Sequence, residues 1–175
     1  LPKIEQVRRV LKMRVLSKFL VFFALITTHI SAENWPRWRG PNDLGSTKEG
    51  RYPANLSDSK NLAWKLALPG KGCSTPVVWE KRIFITGPKE GQDTVSAITW
   101  NGEIAWHKSL GKERGGKHLN GSGSNPSCVT DGSLLFAYFK SGNFGALTFE
   151  GKMLWKKNLM SYGKDTLLWD FGTSP

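Results

Sequence analysis

Acidic residues, cysteine and long apolar runs are all scarce in this sequence of 175 residues. Asp and Glu number 14 against 25 Lys and Arg, a formal charge of +11. That imbalance is concentrated at the start, because the first 18 residues hold six of the cations and one acid. What remains is a mild basic excess spread over loops. No Lys/Arg stripe with interleaved aromatics stands out, so no nucleic-acid partner is expected. The longest uncharged apolar stretch, Phe19–Ile30, has 12 residues, whereas a membrane-spanning helix needs about 20. No stable span is therefore expected in the mature chain. After Ala32 no window keeps a helical apolar period for more than a turn or two, which excludes a helical bundle. The glycine clusters at 115–116 and 121–123 are not followed by Gly-Lys-Ser/Thr or by a helix, which excludes a phosphate loop. No G-x-S-x-G elbow is present. His107 and His118 have no Cys or carboxylate at zinc-ligand spacing.

The chain opens with an address. Met13–Ala32 reads MRVLSKFLVFFALITTHISA: a basic start at Arg14 and Lys18, an apolar run, and the small residues Ser31 and Ala32. This is the three-part pattern of a secretory signal peptide. Cleavage after Ala32 leaves Glu33 at the mature end. No Cys follows the run, so no lipid anchor is expected there. An uncleaved anchor or a buried helix is the alternative. Leu1–Lys12 precede a plausible start at Met13 and read as an extended basic region or as upstream sequence translated in frame. The protein is expected to be periplasmic or extracellular.

The rest of the sequence repeats itself. Ala97–Trp106, AITWNGEIAW, is answered by Ala146–Trp155, ALTFEGKMLW. Ser74–Thr86 is answered by Ser124–Tyr138, and Gly172–Pro175 starts the phrase a third time. Pro76, Pro126 and Pro175 fall at spacings of 50 and 49, and Trp106 and Trp155 at 49. Asn61–Gly70 looks like the last line of a preceding unit, with Trp64 in the Trp position. Short β-branched and aromatic runs bounded by turn residues predict four strands per unit. In the first unit they lie near Thr75–Trp79, Arg82–Thr86, Thr94–Ile98 and Ile104–Ser109. In the second they lie near Pro126–Thr130, Leu134–Phe139, Phe144–Phe149 and Met153–Asn158. Asp131-Gly132, Asn101-Gly102 and Glu150-Gly151 predict turns in which glycine supplies a positive φ. Four strands per ~50 residues, repeated, is the signature of a β-propeller.

The pattern A-x-x-x-x-G-x-x-x-W after a Ser-x-Pro opening resembles the repeat of the pyrroloquinoline-quinone (PQQ) propeller family. It departs from that repeat at Thr99 and Thr148, where Asp is expected, and at Asn101 and Glu150, where Thr is. Asn34–Ser46 and Asp165–Pro175 also look like an opening and an inter-blade link of exported bacterial proteins of this group. The resemblance implies an all-β propeller of four-stranded blades. It divides the chain into 1–32 (upstream segment and signal peptide), 33–60 (N-terminal extension) and 61–175 (partial propeller, with blades near 74–110 and 124–160). It further implies that Trp106 and Trp155 pack between neighbouring blades. A ring takes ~4–8 blades, so a longer protein is expected, or assembly with other chains.

Two functions follow from the resemblance. One is a non-catalytic binding or scaffold module with a protein or cell-envelope partner, since outer-membrane assembly lipoproteins of similar fold bind no quinone. The other is a PQQ-dependent quinoprotein oxidoreductase using PQQ and calcium, with its active site mostly in blades beyond these two. The absent Cys-Cys pair and the substituted Asp positions favour the first, and no catalytic, cofactor-binding or metal-ligating residue is assigned. Within the longest inter-blade loop, Lys112, Arg114, Lys117, His118 and Asn120 are candidates to meet an anionic ligand. His107 is expected to face solvent. Asp165 and Asp170 form no acid/base pair, and Trp169 between them reads as a buried inter-blade residue. Asn55 and Asn120 head glycosylation tripeptides. Cys73 and Cys128 sit five positions out of step in the repeat, ~16 Å along equivalent strands, too far for a disulfide. Two free, largely buried thiols are expected.

Overall fold

The aromatic and β-branched runs after Ser74 are strands. The computed structural model describes residues 33–47, 52–162 and 172–175, all within one compact unit, Ala32–Pro175. The expected signal peptide, Asp165, Trp169 and Asp170 lie outside the described residues. Two four-stranded antiparallel sheets form in chain order. The first is β1 (Val77–Trp79), β2 (Arg82–Lys89), β3 (Gln92–Thr99) and β4 (Ile104–Lys112). The second is β5 (Val129–Thr130), β6 (Leu135–Tyr138), β7 (Asn143–Leu147) and β8 (Met153–Asn158). The fold is all-β, with one 3-10 turn at Leu159–Tyr162 among the described residues.

All eight expected strands are present, the last with the expected bounds and the other seven with shifted ones. β1 and β5 start after Pro76 and Pro126, because proline has no N–H to give a ladder. β2 and β3 run on to the tight turn at Glu90 and Gly91, where both residues have positive φ. The expected strand at Asn61–Gly70 does not pair as one.

Register decides how the sheets stack. Val77, Phe84, Ala97 and Trp106 are successive cross-strand partners and so share one face. Against this row the second sheet buries its opposite face, with Leu135, Ala137 and Leu147 fully buried. Phe84 stacks on Phe149 with ring centres 5.5 Å apart and meets Trp106 at 6.0 Å. The second sheet's counterpart row is Val129, Phe136, Ala146 and Trp155.

A single contact recurs through the fold: an indole lying on a glycine of positive φ. A Cβ at Gly151 would come within 2.8 Å of the Trp106 ring, and one at Gly102 within 2.5 Å of Trp64. Both glycines have φ of 83°. In each pair the indole Nε1 donates to the carbonyl two residues before the glycine: Trp106 to Phe149 at 3.1 Å, Trp64 to Trp100 at 3.0 Å. Trp79 lies on Gly132 and Trp35 on Gly40 in the same way. For Trp155 the described residues include no following sheet against which the expected packing between blades could be seen. Trp155 is 37% exposed and meets only Phe136 and Phe144 of its own sheet, at 6.4 and 5.0 Å, among the described residues.

Trp106→Ala removes the ring and the donor together. It is expected to cost about 3 kcal/mol, the low end for a core tryptophan because this one is only half-buried. Gly151→Ala is expected to cost ~1–3 kcal/mol from the positive φ, with the ring contact added. Urea denaturation of the two variants checks both values, and a Trp106→Ala chain as stable as wild type refutes the lock.

Candidate functional site

In an up-and-down sheet the turns alternate between two ends. The β1–β2, β3–β4, β5–β6 and β7–β8 turns share the end that carries the tryptophan–glycine contacts. The β2–β3 and β6–β7 turns share the other end with the long β4–β5 connection, and that end is polar.

At its centre is Asp93, fully buried at the register shift near the start of β3. Its Oδ1 accepts from Ser124 Oγ at 2.7 Å. Its Oδ2 accepts from Asn143 Nδ2 at 2.9 Å and from Ser141 Oγ. All three donors come from the connection and the second sheet, so this carboxylate ties the two sheets together. Burial pushes its carboxyl above the ordinary range, and the three hydrogen bonds oppose that shift. Around it the two Ser-x-Pro openings are stitched together. Thr86 Oγ1 donates to the Pro126 carbonyl, the Thr86 N–H donates to Ser74 Oγ at 3.3 Å, and the Thr75 N–H donates to Ser127 Oγ at 2.8 Å. Asn125 Oδ1 accepts from the N–H groups of Cys73 and Ser122.

Outside this layer, the connection arches over a cleft of about 420 Å³. Pro69–Lys71, Pro88 and Glu90 form one wall, and Glu113, His118 and Ser122 belong to the other. The arch is held from several sides. Lys71 Nζ donates to the Leu119 carbonyl at 2.6 Å. The buried Lys140 sends its Nζ to the Gly115 carbonyl at 3.2 Å. Glu113 Oε1 accepts from the Gly123 N–H at 3.2 Å. Glu90 pairs with Lys89, which holds its carboxyl below the usual range.

Of the five loop residues expected to face an anionic ligand, only His118 lines this cleft, where its Nδ1 accepts from the Asn120 N–H at 3.2 Å. Lys112, Arg114, Lys117 and Asn120 do not line it. The cleft therefore mixes Lys71 and His118 with Glu90 and Glu113, and it is not the cationic cup that the loop composition suggests. The reason is path: the loop buries Gly121 and Gly123 and leaves these side chains exposed.

His107 is exposed, as expected, and it has a partner that sequence reasoning missed. Ser96, directly across the ladder, brings its Oγ to 2.9 Å from His107 Nδ1. Desolvation, then Lys89, push this imidazole below its ordinary value, against the pull of Glu90. A cavity of about 10 Å³ is lined by Ser96 with Ile85, Thr86 and Gly87, and His107 does not line it. The serine–histidine pair orients His107. Strand periodicity could have found it, since residues 96 and 107 fall opposite once the hairpin is centred on Asn101-Gly102.

The thiols are free, as expected, but differ in environment. Cys128 is buried, and burial pushes its thiol up to about 12. Cys73 is exposed, contrary to the expectation, because it precedes β1 and sits on the surface, where its Sγ approaches the Asn120 carbonyl at 3.7 Å.

Among the described residues no three His, Cys, Asp or Glu side chains converge, and both oxygens of Asp93 are occupied by donors from the protein itself.

Asp93 gives the two sheets a pH dependence of defined sign. Its folded pKa lies above the unfolded value of about 4, so the native state keeps a proton there that the unfolded chain releases. The stability it contributes is fully present below pH ~4 and is partly lost as pH rises through the folded pKa. The stability gap between wild type and Asp93→Asn is therefore expected to be wider at about pH 3 than at neutral pH. Paired urea titrations measure it, and an equal or narrower gap at low pH contradicts the assignment.

Neither a protein-family model nor a curated protein matches this sequence.

Proposed function

We propose that this chain is part of an exported β-propeller of PQQ-like repeats that works as a non-catalytic binding or scaffold module of the cell envelope. The observation that carries the reading is the repeated lock. Trp64 on Gly102 and Trp106 on Gly151 join successive units through the same ring contact and the same indole-to-carbonyl hydrogen bond. A contact that recurs at the period of the repeat supports one stacking operation applied again and again, and its continued application around an axis closes a ring. The incompletely covered side chains of Phe136 and Trp155 mark the surface on which a further unit would stack. On this reading the ring needs ~4–8 such units to close.

The binding role draws support from the polar end, where a cleft of about 420 Å³ is framed by cross-linked loops. Its walls carry both signs of charge and glycine backbone, a surface suited to a polar partner. The export proposal stands on Met13–Ala32.

Two measurements test the reading. A reporter active only after export, fused behind residues 13–32, is expected to be active, and an inactive fusion removes the envelope setting. The natural protein titrated with PQQ and calcium is expected to show no saturable quenching of its tryptophans and no dye reduction with alcohols or sugars. Calcium-dependent uptake with dye reduction overturns the non-catalytic reading and makes the protein a quinoprotein oxidoreductase.

A further inference from the structure

An unpaired sheet edge is a template for another strand. The outward edges of β1 and β5 are not left open, because residues 34–36 lie along them. The Trp35 N–H donates to the Val78 carbonyl at 2.8 Å, and the Val78 N–H donates back to the Trp35 carbonyl at 2.9 Å, an antiparallel bridge. Asn34 Oδ1 accepts from the Glu80 N–H at 2.7 Å. The Pro36 carbonyl accepts from the Thr130 N–H at 2.9 Å. Three consecutive residues thus serve the edge donors of both sheets.

The hold is made mostly by backbone. The indole of Trp35 turns back onto Gly40 of its own arm. Beyond Pro36 the chain leaves the sheets: Arg37–Arg39 and Pro41–Ser46 are exposed, as are residues 52–63. The arm is a short strand laid on an edge and then led away through solvent-exposed chain.

That bonding pattern is strand addition, in which main-chain hydrogen bonds give affinity and a few side chains give register. We propose that the joined edges of β1 and β5 form a strand-addition site, that residues 34–36 are its resident occupant, and that an extended peptide of matching pattern takes the site when the arm is loosened. The pattern is a hydrogen-bond-accepting side chain, then an aromatic residue, then proline. The accepting side chain reaches the Glu80 N–H, which the positive φ of Glu80 (54°) turns out of the regular ladder. Proline suits the third place because only its carbonyl is used, toward Thr130. Both edges belong to this chain, so the site does not depend on closure of a ring.

The test uses the full chain, wild type and Asn34→Ala/Trp35→Ala, with a labelled peptide of residues 33–46 as probe. The loosened variant is expected to bind the peptide about tenfold more tightly than wild type does. The same peptide methylated on the Trp35 backbone nitrogen is expected to bind more weakly. In hydrogen exchange, the amides of Val78, Glu80 and Thr130 should be protected in wild type, fast in the variant, and protected again with peptide. Equal affinity for both chains, or three amides that stay fast with peptide bound, overturns the proposal. Binding that appears only in step with dimer formation assigns the edge to a second copy and overturns it too. If the variant does not fold, wild type decides alone. Exchange at the three amides faster than at Phe84 supports a removable arm, and exchange no faster than at Phe84 refutes it.

Discussion

The contact on which this structure depends is an indole ring laid flat on a glycine turn. Four of the seven described tryptophans do this, at Gly40, Gly102, Gly132 and Gly151. Each glycine has a positive φ, and at each a side chain would collide with the ring. The turn thus uses the missing Cβ twice, once to reach its backbone angle and once to let the ring approach. Where the indole also donates to the turn's own carbonyl, the ring is fixed in position and orientation. A sheet of four short strands exposes two faces and is weak alone. The lock sets how one sheet lies on the next, and the buried row of Val77, Phe84 and Ala97 follows from that placement.

The two ends of the sheets use different physics. One end is held by aromatic rings and by an arm that completes the open edges. The other is held by a buried carboxylate shared among neutral donors, with a cleft above it. Asp93 has no cation within its hydrogen-bond set, so when it ionises its charge is met by dipoles alone. Such a group is costly to bury, and it is tolerated because three donors converge on it. Apolar locks at one end and polar stitching at the other leave the polar end available for recognition, since loops there can differ without disturbing the tryptophan contacts.

Much of the fold was legible in the sequence, for a local reason. Strand positions follow from alternation and from the turn residues beside them, and the glycines at 102, 132 and 151 were recognisable because a turn of positive φ favours glycine. The candidate site was far less legible. Lys112, Arg114, Lys117, His118 and Asn120 lie close in sequence, yet only His118 reaches the cleft, because a glycine-rich loop can take many paths and composition does not choose among them. The pairing of Ser96 with His107 needs the hairpin register. The triple hydrogen bonding of Asp93 needs the two sheets in contact, since its donors lie 31 to 50 residues away.

Neighbours in the chain therefore impose the strands, the turns, the unit of repetition and the residues able to cap a glycine. Contacts made only in the packed fold set which tryptophan meets which turn, that the Trp106 indole reaches Phe149 and Gly151 of the second sheet, that Cys73 faces solvent, and that residues 34–36 lie across two sheet edges. Those outcomes depend on contacts between distant segments. Their free energy comes from burial and hydrogen bonding that exist only once the sheets have packed.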